Sequence, residues 1–375
     1  MSASSSSGSI YLPTLHGWRA IAIAAVLLCH GFAPANPESL PRTQRLIAEI
    51  ALRLGPQGVS LFFAISGFLI TTLLLYELER TGRISLPGFY IRRGFRILPP
   101  ALLYLAIIGI LSAFGIVVLF KGELLSAALW FNNYWPNRTW WTQHYWSLSV
   151  EEHFYLFWPT LLVLLGIRRV RWIGAALIVA TAIWRPWSLE HIHVNLPSLQ
   201  RTDMRLDAFM FACLLAILVR DPESGPRLIA ILVRPSVRIA AVLALAVVWV
   251  VSIRVEMQAT RFLIQSALLP LIVVSAVYSP ADWFGRLLES RPLKWLGHVS
   301  YSVYLWQMPF LTPPPDLHSA ALWFLPRTAL VMLVAYLSYR VVEMPGMIYG
   351  RTLAERVVRR RQARFAIVTH ASWSA

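Results

Sequence analysis

Residues 56–76 read PQGVSLFFAISGFLITTLLLY, 21 positions without one charged side chain. An apolar run of about 20 residues, rising 1.5 Å per residue, spans the hydrocarbon core of a bilayer and reads as a membrane helix. Inside it Ser66 and Gly67 are small enough for close helix approach, and Ser66 is equally a candidate for substrate contact.

Working outward from this segment, nine more apolar stretches appear. The ten expected spans lie near 18–36, 56–76, 98–120, 145–166, 172–188, 204–220, 236–253, 261–279, 294–312 and 321–343. The fifth is interrupted by Arg185 and Pro186, and the ninth runs into Pro313-Pro314-Pro315. No internal repeat and no soluble domain is visible. The expected fold is therefore an all-α integral membrane protein of about ten transmembrane helices. Residues 1–10 form a serine-rich disordered tail, residues 11–345 the transmembrane domain, and residues 346–375 a basic cytoplasmic tail. That last segment, with Arg356, Arg359, Arg360, Arg361 and Arg364, is amphipathic or disordered.

Composition agrees. Hydrophobic residues make up 57% of the chain and charged residues 14%, against about 25% charged in an average soluble domain. The net charge of +16 does not point to nucleic acid, because the basic residues sit in short loops between apolar runs, where they suit an anionic membrane leaflet. The two cysteines, Cys29 and Cys213, both fall inside apolar segments, so no disulfide framework is expected. No metal site is expected either. The first residues lack a basic stretch, so the first apolar segment reads as a retained span rather than a signal peptide.

The basic residues also orient the chain. With the N-terminus inside, 23 of the 34 lysines and arginines fall on the cytoplasmic side. This bias favours N-in and C-in and an even number of spans. The expected location is the inner (cytoplasmic) membrane, crossed many times.

Ionisable residues within spans are costly and mark function. Arg19 and His30 lie eleven residues apart in the first span. At 100° per residue that brings both to one face of the helix, separated by roughly 16 Å along its axis. Arg19 then lies near the cytoplasmic surface and His30 in the outer half of the membrane. Each has a plain reading as well, a snorkelling arginine and a hydrogen-bonded core histidine. The fourth span opens YWSLSVEEHFY at Tyr145. In this topology Glu151 and Glu152 lie near the depth of His30, where a carboxylate would fix the imidazole tautomer and raise its basicity. Trp146 accompanies them. Arg205 and Asp207 open the sixth span on the same outer side. Arg92, Arg93 and Arg96 cluster in the second cytoplasmic loop, where guanidinium forks suit phosphate oxygens. Tyr301 and Gln307 add polar groups at helical spacing in the ninth span.

Seven stretches in order resemble one family, the membrane-bound acyltransferase 3 family of O-antigen and macrolide acyltransferases. They are Arg19 with His30, GVSLFFAISGFLI (58–70), RRGFR (92–96), WSLSVEEHFYLFWP (146–159), RLDA (205–208), GHVSYSVYLW (297–306) and EMP (343–345). Together they cover nearly the whole chain. The resemblance implies a ten-helix domain that takes an acyl group, most often acetyl, from cytoplasmic acyl-CoA. The acceptor would be a hydroxyl on a glycan, a lipid-linked saccharide or a secondary metabolite. Acyl-CoA is then a co-substrate, with no tightly bound cofactor. The remaining partners would be membrane lipid and the acceptor, with homo-oligomerisation left open.

The resemblance makes His30 the essential histidine and Arg19 the essential arginine. It makes the arginine motif at Arg92, Arg93 and Arg96 functionally important, and these three with Arg19 are expected to hold acyl-CoA. Many members carry His where Gln307 stands, and His153 replaces a common glutamine. Some members also carry a fused esterase-like domain that this sequence lacks. The chain is thus expected to finish its reaction alone or to pass the acyl group to a partner.

The expected catalytic set is His30 with Glu151 or Glu152. Expected substrate contacts are Ser66, Trp146, Arg205, Asp207, Tyr301 and Gln307. General-base catalysis and a transient acyl-histidine or acyl-serine both fit. The rival class is a transporter or flippase of a lipid-linked saccharide or small solute, since buried Arg, His and Glu also serve proton relays.

Overall fold

The computed structural model describes residues 11–34, 40–192, 198–251 and 258–371. The expected N-terminal tail, residues 1–10, lies outside them. So do the last two residues of the first expected span, the last two of the seventh and the final four of the chain. Among the described residues every regular element is a helix, and each of the ten expected spans falls on one. The helices are α1 (Leu15–Phe32), α2 (Arg42–Thr81), α3 (Leu86–Ala113), α4 (Glu123–Ala128), α5 (Tyr145–His191), α6 (Leu206–Leu218), α7 (Gly225–Leu232), α8 (Pro235–Val251), α9 (Gln258–Tyr278), α10 (Trp283–Leu288), α11 (Arg291–Trp306), α12 (Leu317–Ser338) and α13 (Met344–Ala371).

Five of these are long and apolar enough to cross a membrane, and six if the bent pair α7 and α8 is taken as one span. The others are shorter or charged. α6 has 13 residues and α11 has 16. α5 breaks at Gly166, whose φ of 71° and ψ of 168° are foreign to a helix. The left-handed half of backbone space is open to glycine without steric cost. This break separates the fourth expected span from the fifth.

α1 lies between α2 and α11. Glycines set these approaches: a Cβ on Gly58 would sit 2.5 Å from the Ala22 carbonyl oxygen, and one on Gly297 would sit 1.9 Å from that of His16. Gly67 meets α6 in the same way, its would-be Cβ 2.6 Å from the Phe209 oxygen. In lipid, where apolar burial gives no extra drive, such backbone proximity is what holds helices together. The start of α1 is tied down by Glu289, which accepts from Tyr11 Oη at 2.5 Å and from the Thr14 backbone N–H. Burial pushes the Glu289 carboxyl up, but those two bonds and Lys294 outweigh it and leave it below the ordinary carboxylate range.

Gly297 touches α1 at His16, and Gln307 touches it at His30. α1 and α11 therefore run parallel. The first part of α5 runs against them, from His144 near His30 toward Glu151 near Arg19. α3 carries Pro99 and Pro100 in its interior, which interrupt the helical ladder. Nearby carbonyls on α3 accept from its neighbours: Ile97 from Tyr301 at 2.9 Å, Ala101 from Tyr145 at 2.8 Å.

Two buried acids brace the periphery. Asp207 pairs with Arg185, the side chains 0% and 1% exposed. Arg185 also donates to the Met204 and Ala259 carbonyls, joining α5, α6 and α9. In the loop between α3 and α5, Glu123 accepts from the backbone N–H groups of Phe120 and Thr139 and from the hydroxyls of Thr139 and Thr142. The expected C-terminal tail is helical from its start: a π-helical turn, Tyr339–Glu343, leads from α12 into α13, which packs along α3.

Candidate active site

Arg19 projects from α1 toward α11 and donates from Nε to Ser300 Oγ at 3.1 Å. It lines a cavity between α1, α2, α3, α5 and α11. Arg93, Arg96, Glu151, Glu152 and Tyr301 share that wall. Arg93 lies over the Tyr155 ring, 4.1 Å from its centroid. Glu151 accepts from Tyr155 Oη at 2.7 Å and from Ser66 Oγ, and the two hydroxyls meet at 3.0 Å. The cavity thus holds three guanidinium groups against two carboxylates.

A second, wider groove adjoins it, lined by Arg80, Arg92, Arg351 and again by Arg93 and Arg96. The expected arginine motif is therefore split. Arg92 faces only the groove and pairs with Glu77 at 3.4 Å. Arg93 and Arg96 stand in the wall common to groove and cavity.

His30 sits at the far end of α1. Its Nδ1 lies 3.1 Å from Gln307 Oε1. Gln307, fully buried, donates from Nε2 to the Tyr304 carbonyl at 3.1 Å. A carbonyl only accepts, so the amide nitrogen faces Tyr304 and the amide oxygen faces the imidazole. That oxygen also only accepts, so Nδ1 carries the hydrogen. The Nε2 lone pair is left free, as a general base or nucleophile requires. Trp140 covers the ring edge-on at 5.3 Å, held by its own bond to the Met308 carbonyl at 2.8 Å.

Arg19 and His30 both meet α11, so they share one face of α1. The expected pairing of His30 with Glu151 or Glu152 is corrected. Both glutamates line the cavity beside Arg19 and Arg93, one to two turns deeper along α5 than the helix start near His30. Gln307 takes their place, and so partners His30 rather than lining the cavity. Of the expected substrate contacts, Ser66 and Tyr301 line the cavity. Asp207 does not: it is consumed by Arg185. Arg205 donates to the Leu199 carbonyl and lies over Phe262 at 3.9 Å, with the Trp146 ring at 5.6 Å, so both belong to the packing around α6. His153 binds Thr202 Oγ1 at 2.6 Å and ties α5 to the segment before α6.

Three polar residues near the site were given no role from the sequence, though Glu343 stands in the EMP stretch. Glu343 is fully buried, accepts from Ser302 Oγ at 2.7 Å and lies within electrostatic range of Arg19 and Arg96. A lone carboxylate closing the tenth apolar span was its signal. Glu123, at the start of α4 and the one acid between Glu79 and Glu151, fixes the strip that carries Trp140. His144 directly precedes the fourth span and is 2% exposed.

A family model described as an acyltransferase domain matches residues 12–340. Among curated proteins, the chain is 27% identical over 379 residues to a Listeria monocytogenes protein named Peptidoglycan O-acetyltransferase OatA, covering 89% of this chain and 56% of that one. It is 26% identical over 367 residues to a Staphylococcus aureus (strain COL) protein named Putative O-acetyltransferase, covering 89% and 57%. A Bacillus subtilis protein named Putative peptidoglycan O-acetyltransferase YrhL is 26% identical over 385 residues, covering 92% and 57%. The chain spans a little over half the length of these relatives. No solved structure matches.

Proposed function

Since the chain belongs to the membrane-bound acyltransferase 3 family, we propose that it is an O-acyltransferase moving an acyl group, acetyl in the first instance, from cytoplasmic acyl-CoA to a glycan hydroxyl across the membrane. The observation that carries this reading is a line of arginines through groove and cavity that ends at Arg19, on the face of α1 that also carries His30. The groove offers Arg80, Arg92, Arg93, Arg96 and Arg351, a set suited to the phosphates of CoA. Arg93 and Arg96 lead into the cavity, where Arg19 stands at one end of α1. His30 stands roughly 16 Å further along that helix, a distance that suits an extended pantetheine arm.

In this scheme the phosphates stay in the groove and the arm threads along α1 past Ser66 and Tyr301. Neutral His30 takes the proton from the acceptor hydroxyl through its free Nε2 as the oxygen attacks the thioester carbonyl. General-base assistance of this kind contributes about 10²–10⁴-fold. The names of the relatives make a peptidoglycan-like glycan the first acceptor to try. The directions of the helices support a ten-span chain with both termini in the cytoplasm: α1, α3 and α11 run one way and the first part of α5 runs the other. Such alternation is what first, third, ninth and fourth spans require. The same reading places the chain in the inner (cytoplasmic) membrane.

The test is to supply purified protein in lipid nanodiscs with radiolabelled acetyl-CoA and purified peptidoglycan. Wild type should release CoA and place label on the glycan as an ester, and His30→Ala should do neither while remaining folded. Undiminished CoA release by His30→Ala would overturn the scheme, and transport of a solute with no loss of thioester would favour the transporter class.

A further inference from the structure

One side chain against His30 comes from outside the helices. Trp140, in the strip between α4 and α5, meets the imidazole edge-on, the ring centres 5.3 Å and the planes 74° apart. Its indole N–H donates to the Met308 carbonyl at 2.8 Å, one residue beyond the Gln307 that holds His30 Nδ1. Base and indole are thus anchored to the same end of α11.

The strip is fixed on both sides of Trp140. Thr139 gives its backbone N–H at 2.8 Å and its hydroxyl at 2.6 Å to Glu123, and Thr142 donates to the same carboxylate. The Trp141 carbonyl accepts from Tyr104 Oη at 2.6 Å. Arg138 reaches Gln200 at 2.7 Å and ties the strip to the segment before α6. Glu123 is fully buried. A buried carboxylate is costly and persists only where several donors meet it. Here those donors flank Trp140, so the cost goes into holding one indole in place, as a preorganised binding site requires.

Trp140 and His30 are both part-exposed, whereas Gln307 behind the imidazole is fully buried. His30 Nε2 has no partner among the described residues and is not closed off from the surface. Arg19 and the arginine groove lie toward the other end of α1. A donor held there reaches His30 along the helix, and the acceptor comes from the side of the strip.

We propose that Trp140 is the platform for the acceptor sugar: the C–H face of a pyranose ring rests on the indole while a hydroxyl at the ring's edge meets His30 Nε2. The inference rests on the acyl-transfer reading above. A pyranose carries C–H bonds on its faces and hydroxyls at its edges. A fixed aromatic plane beside one open lone pair matches both, and aromatic walls with a few placed polar groups are what orient a ligand. The seated sugar also keeps water from the thioester. Without the platform, water takes the acceptor's place. Its oxygen bonds to the carbonyl carbon, its proton passes to His30, the carbon–sulfur bond breaks, and the sulfur leaves with the electron pair and receives that proton. The products are then acetic acid and free thiol instead of glycan ester and free thiol.

The test follows CoA, labelled ester and labelled acetate together, in nanodiscs with acetyl-CoA labelled in its acetyl group and soluble peptidoglycan fragments. Wild type is compared with Trp140→Phe, which keeps an aromatic plane but loses the bond to Met308, and with Trp140→Ala, which removes both. Trp140→Ala should raise the KM for the fragments by about 30-fold, the size expected when an aromatic anchor of a binding site is truncated. The KM for acetyl-CoA should stay within twofold of wild type, and the acetate-to-ester ratio should rise severalfold. Trp140→Phe should fall between the two. A packing role alone would lower both products together and leave their ratio unchanged. A fragment KM within twofold of wild type in Trp140→Ala, or an unchanged acetate-to-ester ratio, would overturn the platform. Should Trp140→Ala lose its melting transition, Trp140→Phe decides by the same two readouts. If wild type itself releases no CoA, the acyl-transfer reading fails and takes the platform with it. Normal ester formation by wild type and both variants overturns the platform alone.

Discussion

The residue that fixes the chemistry of His30 is Gln307. Its amide can hydrogen-bond Tyr304 only through nitrogen, and that leaves oxygen to receive the Nδ1 hydrogen of the imidazole. Gln307→Leu keeps the volume but removes the acceptor, so the ring is free to take the other tautomer or to rotate. Partners of this kind around a histidine are worth about 10–100-fold where they have been measured at metal sites, and a loss of that size in kcat with little change in KM for acetyl-CoA is expected. Steady-state kinetics of CoA release would show it. An unchanged kcat would mean that Gln307 does not set the tautomer. Sequence reading found both members of this pair but not the pair. It gave His30 a carboxylate partner because Glu151 and Glu152 were the strongest acids at the right end of a span.

At the scale of elements, the site depends on how closely α1 approaches α11. The 1.9 Å between a would-be Cβ on Gly297 and the His16 oxygen leaves no room for a methyl group. Gly297→Ala should therefore push the helices apart at their inner ends and lengthen the Arg19–Ser300 bond. Overpacking of this kind costs about 1–3 kcal/mol. The expected result is a lower melting temperature in detergent together with a higher KM for acetyl-CoA, while Gly94→Ala on α3, where the nearest atom is a Leu98 methyl at 3.7 Å, should change neither. A Gly297→Ala protein with wild-type stability would show that this crossing is not tight. The existence of most helices was legible from apolar runs, and the break in α5 from the residues flanking Gly166. The extension of α2 before residue 56, the π turn at Tyr339–Glu343 and the helical character of the chain beyond 345 were not. Those features carry little apolar periodicity and are held by their neighbours.

For the whole molecule, the proposed path from groove to cavity to His30 requires that the groove open on the cytoplasmic face. The two native cysteines are buried, so introduced ones report cleanly. Arg83→Cys in intact cells should be shielded from a membrane-impermeant maleimide and become reactive on lysis, whereas Val118→Cys, on the strongly exposed loop after α3, should react from outside. The reverse pattern would invert the chain and place the arginines away from cytoplasmic CoA.

The amino-acid sequence alone determined that this is a helical membrane protein, which family it belongs to, and that Arg19 and His30 share a face. These follow from composition, from ordered motifs and from the 3.6-residue period, all of which act within one segment. Tertiary structure alone decided what each polar group meets. It gave Gln307 to His30, Arg185 to Asp207, and Glu151 to Ser66 and Tyr155. Those pairings depend on the depth at which separate helices cross. Glycine contacts and proline interruptions far apart in the chain set that depth, and no spacing within a single helix records it.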